Sequence, residues 1–199
     1  MKNLTRTICL TLVVLLGSLV TGCGADYDKG YAAYNNGDYA TALREFRPLA
    51  EQGDARAQVN LGWMYGGGLG VPQDSKTSMK WFTLPAEQGD AAAQVNLGFM
   101  YRDGQGVPED FKTAVKWFTL AAEQGYAKGQ LLLGGMYYNG WGVPQDNIYT
   151  HMWWNLAASN GNEDGGKMRD NVAKDMTPAQ IEKAEKLASE CVAKKYKGC

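Results

Sequence analysis

The chain repeats itself at intervals of 36 residues, and this feature limits its fold more than any other. Glycine, leucine, tyrosine and tryptophan residues each recur at this spacing. The matched positions are Gly53, Gly89, Gly125 and Gly161; Leu61, Leu97 and Leu133; Tyr65, Tyr101 and Tyr137; and Trp81, Trp117 and Trp153. Periods of about 20 to 50 residues are typical of solenoids, in which each supersecondary unit packs against its neighbours. The sequence therefore predicts a stack of similar units.

One segment of the repeat, YGGGLGVPQD at residues 65–74, is rich enough in glycine to suggest a phosphate-binding loop. Loops of the type GxxxxGK[ST] need a lysine and a hydroxyl residue, whereas Pro72 and Asp74 follow here. The segment recurs as YRDGQGVPED and YYNGWGVPQD. Of its four glycines, only Gly68 and Gly70 have counterparts in both copies. We therefore predict a turn between two helices, in which these glycines adopt positive φ.

Each unit is predicted to contain two helices, A and B. Helix A is expected at residues 55–65, 91–101 and 127–138, and helix B at residues 75–88, 111–124 and 147–160. Aspartates that can cap exposed N–H groups precede five of these starts, namely Asp54, Asp74, Asp90, Asp110 and Asp146. Gly62 lies inside helix A, where glycine costs about 1 kcal/mol relative to alanine. Its recurrence predicts a close contact between helices.

The pattern A-x-x-x-L-G-x-x-Y-x-x-G-x-G-V-x-x-D, followed by W-[FW]-x-x-x-A-x-x-G, resembles the Sel1-like repeat (SLR), a relative of the tetratricopeptide repeat. The resemblance covers residues 53–161 as three units. It implies an all-α fold, a right-handed α/α solenoid that holds protein or peptide partners and needs no cofactor. Residues 23–52 resemble a tetratricopeptide-like first hairpin. Residues 162–199 are predicted to form capping helices, with a capping box at Thr177 and Gln180.

The first 22 residues have the features of a secretion signal. A basic start with Lys2 and Arg6 precedes an apolar run that ends in small residues. The sequence Val-Thr-Gly-Cys that ends at Cys23 resembles the bacterial lipobox, which implies removal of residues 1–22 and a lipid on Cys23. The resemblance also implies a periplasm-facing protein of the cell envelope, and Gly24 after the cysteine implies the outer membrane. The alternative is an ordinary cleaved signal followed by an unrelated cysteine.

Composition argues against several classes of site. Basic and acidic residues number 20 and 21, so no positive surface for nucleic acid is predicted. His151 is the single histidine, it takes a core-facing position of helix B, and no CxxC motif accompanies it, so no metal site is expected. We expect no catalytic residues. The alternative is a hydrolase acting on cell-wall or β-lactam substrates, as suggested for cysteine-rich relatives, but this chain lacks a regular cysteine pair in each repeat.

A candidate binding surface lies on helix A, which lines the concave groove in tetratricopeptide relatives. Positions that pack one repeat against the next should carry the same residue in every repeat, whereas positions that face a partner can vary. Varying residues spaced four and then three apart lie on one face of helix A, so they form a stripe that is a candidate contact surface. The candidate contact residues on this stripe are Arg56, Asn60, Trp63, Asn96 and Phe99. In the third unit the stripe continues through Lys128, Leu132 and Gly135. The aromatic rings could anchor a partner and the amides could hold a peptide backbone. In the alternative interpretation, the rings pack against adjacent helices and the amides satisfy local backbone groups.

Two cysteines near the end of the chain, Cys191 and Cys199, can form a disulfide in an oxidising compartment. Eight residues of helix would separate them by about 12 Å, whereas a disulfide needs Cα atoms within about 7 Å. Pairing therefore requires the last helix to end near Tyr196, with Lys197 and Gly198 turning the chain back. Two free thiols and intermolecular pairing are the alternatives.

Overall fold

A computed structural model describes residues 25–199, which form helices and turns without any β-strand. The all-α prediction is confirmed. A 3₁₀ turn at Ala173–Asp175 joins the last two α-helices. The α-helices are α1 Tyr27–Asn35, α2 Tyr39–Glu51, α3 Ala55–Gly67, α4 Ser75–Glu87, α5 Ala91–Asp103, α6 Phe111–Ala122, α7 Ala127–Asn139, α8 Asn147–Ser159, α9 Glu163–Val172 and α10 Pro178–Ala193.

The predicted helix pairs are confirmed: α3, α5 and α7 are the A helices, and α4, α6 and α8 are the B helices. Asp54 caps α3 by accepting a bond from the N–H of Ala57 at 3.0 Å, and Asp74 caps α4 in the same manner. Gly68 ends α3 with a φ of 67°, and Gly70 follows with a φ of 72°, as the turn prediction requires. The A helices extend one or two residues beyond their predicted ends, into the glycine turn itself.

The glycine inside each A helix marks a close contact with the B helix of the same unit. A Cβ atom at Gly62 would lie 2.6 Å from the ring of Phe82, so a larger residue would collide with that ring. The hydroxyl of Ser78 also donates to the carbonyl oxygen of Gly62, at 2.7 Å. The contact explains why a residue with poor helix propensity recurs at this position.

A buried glutamine joins each A helix to the end of the preceding B-type helix. Gln58 donates to the carbonyl oxygen of Ala50 at 3.0 Å, and Gln94 donates to that of Ala86 at 3.1 Å. Gln130 repeats the bond at the next junction. These bonds satisfy carbonyl groups that a helix end leaves without an intrahelical partner. They also fix the stacking of successive units, which places the A helices side by side.

The chain ends in a loop closed by a disulfide between Cys191 and Cys199, whose Cα atoms lie 5.4 Å apart. The predicted end of the last helix near Tyr196 is wrong, because α10 ends at Ala193. Lys195 and Tyr196 take φ values of 53° and 66°, so the chain reverses earlier than Gly198. The capping box at the start of α10 is confirmed.

The N-terminal predictions fall on residues that the structure does not describe. Cys23, the lipid expected on it and the signal expected at residues 1–22 lie outside the described residues. Within residues 25–199, none of the helices has the length and apolar character needed to cross a bilayer.

Candidate functional site

The A helices line two neighbouring depressions on one surface, which we call the A-helix groove. The first pocket, about 380 Å³, lies between α3 and α5 and is lined by Trp63, Asn96 and Phe99. The second pocket, about 490 Å³, lies on α7 and is lined by Leu132 and Gly135. The structure therefore brings three of the five predicted site residues together in the first pocket.

Trp63 is the most accessible aromatic residue of the first pocket. Its side chain is 46% exposed, although the ring also meets Phe82 edge to face with centroids 5.5 Å apart. The Trp63 side chain is therefore held in place by the Phe82 ring and remains accessible to solvent. A large aromatic group that is fixed in place and accessible loses little conformational entropy when a partner covers it.

Phe99, the counterpart of Trp63 in the next unit, is half-buried. Its ring meets Phe118 edge to face at 5.6 Å, and the Arg102 guanidinium lies 4.7 Å from the ring centroid. The Lys128 amino group lies 5.5 Å from the same centroid. Cations over an aromatic face are attracted to it and cover part of it. Phe99 therefore belongs partly to the core and partly to the pocket.

Arg56 and Asn60 lie outside the lining of the first pocket and contact the first helix. The Asn60 amide nitrogen donates to the hydroxyl of Tyr27 at 3.0 Å and to the carbonyl oxygen of Arg56 at 2.8 Å. The Arg56 guanidinium lies 4.0 Å from the centre of the Tyr27 ring. A hydrogen bond to Asp54 raises the pKa of Arg56 above its ordinary value. These contacts attach α1 to α3.

The second pocket has an apolar floor and a partly exposed apolar rim. Its floor includes Trp154, which is 6% exposed and donates from its indole nitrogen to the carbonyl oxygen of Leu131 at 3.0 Å. Tyr138, Trp141 and Met168 stand around it and are all exposed. Sequence analysis placed position 135 on the varying stripe but did not identify a pocket there. The available signal was a glycine where the two preceding units carry Trp63 and Phe99.

His151 is buried in α8, as its core-facing position predicted, with 3% of its surface exposed. Its Nδ1 atom is buried without a hydrogen-bond partner among residues 25–199. Burial, together with the charge of Arg169, lowers the pKa of His151. Among residues 25–199, no group of three or more His, Cys, Asp or Glu side chains is arranged to hold a metal ion.

Comparison with known proteins identifies the repeat. The sequence matches the Sel1 repeat family at residues 55–90, 91–126 and 127–162. The fold is similar to that of a Sel1 repeat protein from Oxalobacter formigenes, with 34% identity and a TM-score of 0.59. That match covers 65% of this chain and 98% of the Oxalobacter chain.

A second solved structure is similar over a longer part of this chain. It is a protective antigen present in uropathogenic Escherichia coli strains that displays an SLR fold, with 28% identity and a TM-score of 0.52. The match covers 85% of this chain and 46% of the antigen. None of the curated protein sequences matches this chain.

Proposed function

The chain belongs to the Sel1 repeat family, and from this premise we propose that it is a non-enzymatic adaptor of the bacterial cell envelope that binds a protein or peptide in the A-helix groove. Sel1 repeat proteins are generally non-catalytic scaffolds that bind protein partners. The family membership supports the general role. The choice of groove and the envelope location are the specific parts of the proposal.

The observation that carries the proposed site is the exposure of Trp63 at a pocket that a second unit helps to line. Residues from α3 and α5 meet there, so a bound segment would contact two units at once. Binding energy at protein interfaces is concentrated in a few residues, among which tryptophan is enriched. Asn96 adds an amide to the same lining, suited to a peptide backbone.

The envelope location rests on the N-terminal sequence. A cleaved signal of residues 1–22 would leave Cys23 as the first residue, and acyl chains on it would hold the solenoid at a membrane. Gly24 at the next position supports the outer membrane as the destination. Cys23 precedes the first helix, α1, by only four positions along the chain, so the anchor would lie close to the start of the solenoid.

Capture from crosslinked cell envelopes tests the adaptor role. The variant Trp63→Ala should weaken the affinity for a captured partner by about 1 to 3 kcal/mol, as removal of a central interface residue does. Leu120→Ala is the matched control, because Leu120 on α6 is 45% exposed, nearly the same as Trp63, and does not line the groove. A partner lost with Trp63→Ala and kept with Leu120→Ala supports the proposal. Equal capture by both variants, with helix content unchanged, contradicts it.

A further inference from the structure

The second pocket occupies the place of a side chain that two other units possess. Trp63 on α3 covers Phe82, and Phe99 on α5 covers Phe118, each edge to face with centroids about 5.5 Å apart. Gly135 is the equivalent residue of α7, and its equivalent partner on the B helix is still an aromatic ring, that of Trp154. The third unit therefore keeps the lower ring and lacks the upper one.

The space left by the missing ring is open. A Cβ atom built at Gly135 has no atom within 4 Å, so neighbouring side chains do not fill the position. The resulting pocket of about 490 Å³ falls in the range typical of ligand sites. Its floor is apolar, and Tyr138 lies against Trp154 with ring centroids 5.5 Å apart. The surroundings are therefore suited to an aromatic ring.

The charged residues of the lining are both cations, Arg102 and Lys167. Arg102 is paired with Asp103 at 2.6 Å and Lys167 with Asp164 at 3.4 Å, and these carboxylates lie outside the lining. Arg102 donates to both carboxylate oxygens of Asp103 and keeps further N–H groups that a ligand can use. The exposed pair of Lys167 contributes about 0 to 1 kcal/mol, so a carboxylate from a ligand can compete for this cation. The charge of the lining favours an acidic group beside the aromatic ring.

We propose that the second pocket binds a peptide segment of a partner protein through one aromatic side chain flanked by acidic residues. The ring takes the place that Trp63 and Phe99 fill in the other units and packs against the part of Trp154 that lines the pocket. The flanking carboxylates face Arg102 and Lys167. The inference rests on the proposed function as a protein-binding scaffold and adds the chemistry of the partner segment at a different pocket.

Isothermal titration with defined peptides tests this proposal. The probe is an acetylated and amidated peptide, Ser-Gly-Asp-Trp-Glu-Gly-Ser, and two comparison peptides carry alanine for tryptophan or amides for the two carboxylates. The wild-type protein should bind the probe at least roughly tenfold more tightly than the alanine peptide, a difference of about 1.4 kcal/mol. Undetectable binding of the probe at millimolar concentration, or equal binding of the alanine peptide, would overturn the proposal.

Two substitutions at one position provide a matched pair. Gly135→Phe supplies the missing ring from within the chain and should abolish probe binding, whereas Gly135→Ala adds one methyl group and should retain it. Unchanged affinity in a folded Gly135→Phe protein would refute the assignment. If Gly135→Phe does not fold, the variant Lys167→Gln, at an exposed position of α9, tests the proposal instead. This variant should bind the acidic probe more weakly and should bind the peptide with amides in place of the two carboxylates as tightly as the wild type does. Equal effects on both peptides would overturn the charge argument.

The same variants separate the other outcomes. A dimer in sedimentation that dissociates in Gly135→Phe would assign the pocket to a second copy of the chain and overturn the peptide proposal. Absence of probe binding, with capture still dependent on Trp63, would contradict the second-pocket inference alone. Probe binding combined with capture that Trp63→Ala does not affect would contradict the proposed role of the first pocket alone.

Discussion

Two adjacent glycines of α7 should respond in opposite directions when each is changed to alanine. Both substitutions replace glycine inside one helix, so each gains about 0.5 to 1 kcal/mol of helix propensity. Their surroundings differ. A Cβ atom at Gly134 would lie 2.5 Å from Cδ1 and 2.7 Å from Nε1 of Trp154, whereas a Cβ atom at Gly135 meets nothing within 4 Å.

The expected magnitude follows from what Trp154 would have to do. Overpacking of a core costs about 1 to 3 kcal/mol, and the indole is held by its 3.0 Å bond to the carbonyl oxygen of Leu131. Displacing the ring would weaken that bond, which contributes about 1 kcal/mol. After subtraction of the propensity gain, Gly134→Ala should lower the free energy of unfolding by about 1 to 3 kcal/mol. Gly135→Ala should raise it by up to about 1 kcal/mol.

Thermal unfolding followed by circular dichroism measures this contrast. For a chain of this size, 1 kcal/mol shifts Tm by about 2 to 4 °C, so a difference of about 1.5 to 4 kcal/mol between the two variants should separate their Tm values by roughly 3 to 16 °C. Solenoids can unfold unit by unit, and both substitutions lie in the same unit, so the comparison holds without a two-state assumption. Equal shifts for the two variants would refute the packing explanation for the glycine that recurs inside each A helix.

Three further predictions concern the core and the two ends of the chain. Reduction of the disulfide, or Cys199→Ser, should cost at most about 2.5 kcal/mol of unfolding free energy for so short a loop. Two free thiols counted in the denatured, unreduced mature protein, which is expected to lack Cys9 and to carry lipid on Cys23, would contradict the bond to Cys191. Because burial lowers the pKa of His151 below 6.5, the unfolded chain binds more protons there than the folded protein does. The stabilising contribution of neutral His151 is therefore fully present above pH 6.5 and is lost as the pH falls through the pKa of the folded protein. Chemical denaturation across this pH interval should show that the free energy of unfolding of His151→Met depends less on pH than that of the wild type. Cys23→Ser should leave the protein unprocessed or release it from the membrane fraction, and mass spectrometry that finds a different, unmodified N-terminus would exclude the lipoprotein assignment.

The repeat allowed the helix pairs and their caps to be predicted because it presents each local signal several times. Asp74 alone is a weak indication of a helix start. Asp110 and Asp146 occupy the same position in the next two units, each at the same distance before a tryptophan, and this repetition strengthens the prediction. The glycine inside helix A could be interpreted in the same way, because glycine disfavours a helix and its presence in all three units implies that each unit makes the same close contact. The contact with the B-helix ring is visible in all three units of the structure.

Contacts between a repeat and the non-repeated segments at the two ends of the chain could not be predicted in this way. Asn60 was expected to face a partner, but its amide nitrogen donates to Tyr27 of α1, which precedes the repeats and has no copy elsewhere. At the other end, the turn at Lys195 and Tyr196 packs the last loop on the solenoid, where the N–H of Gly198 donates to Glu123. Each of these contacts occurs once, so no periodicity reveals it.

Differences between the copies carry information of a second kind, and their meaning depends on what remains around them. His151 takes the position of Met79 in an earlier unit and is buried in the core, so this difference between the units leaves no open space. Gly135 replaces an aromatic residue while Trp154 is retained on the B helix, and the space beside Gly135 stays open. A core that had simply adapted to the smaller residue would have closed over the gap. A pocket that stays open beside Gly135, next to a retained ring, is the physical reason to look for the missing group in a partner.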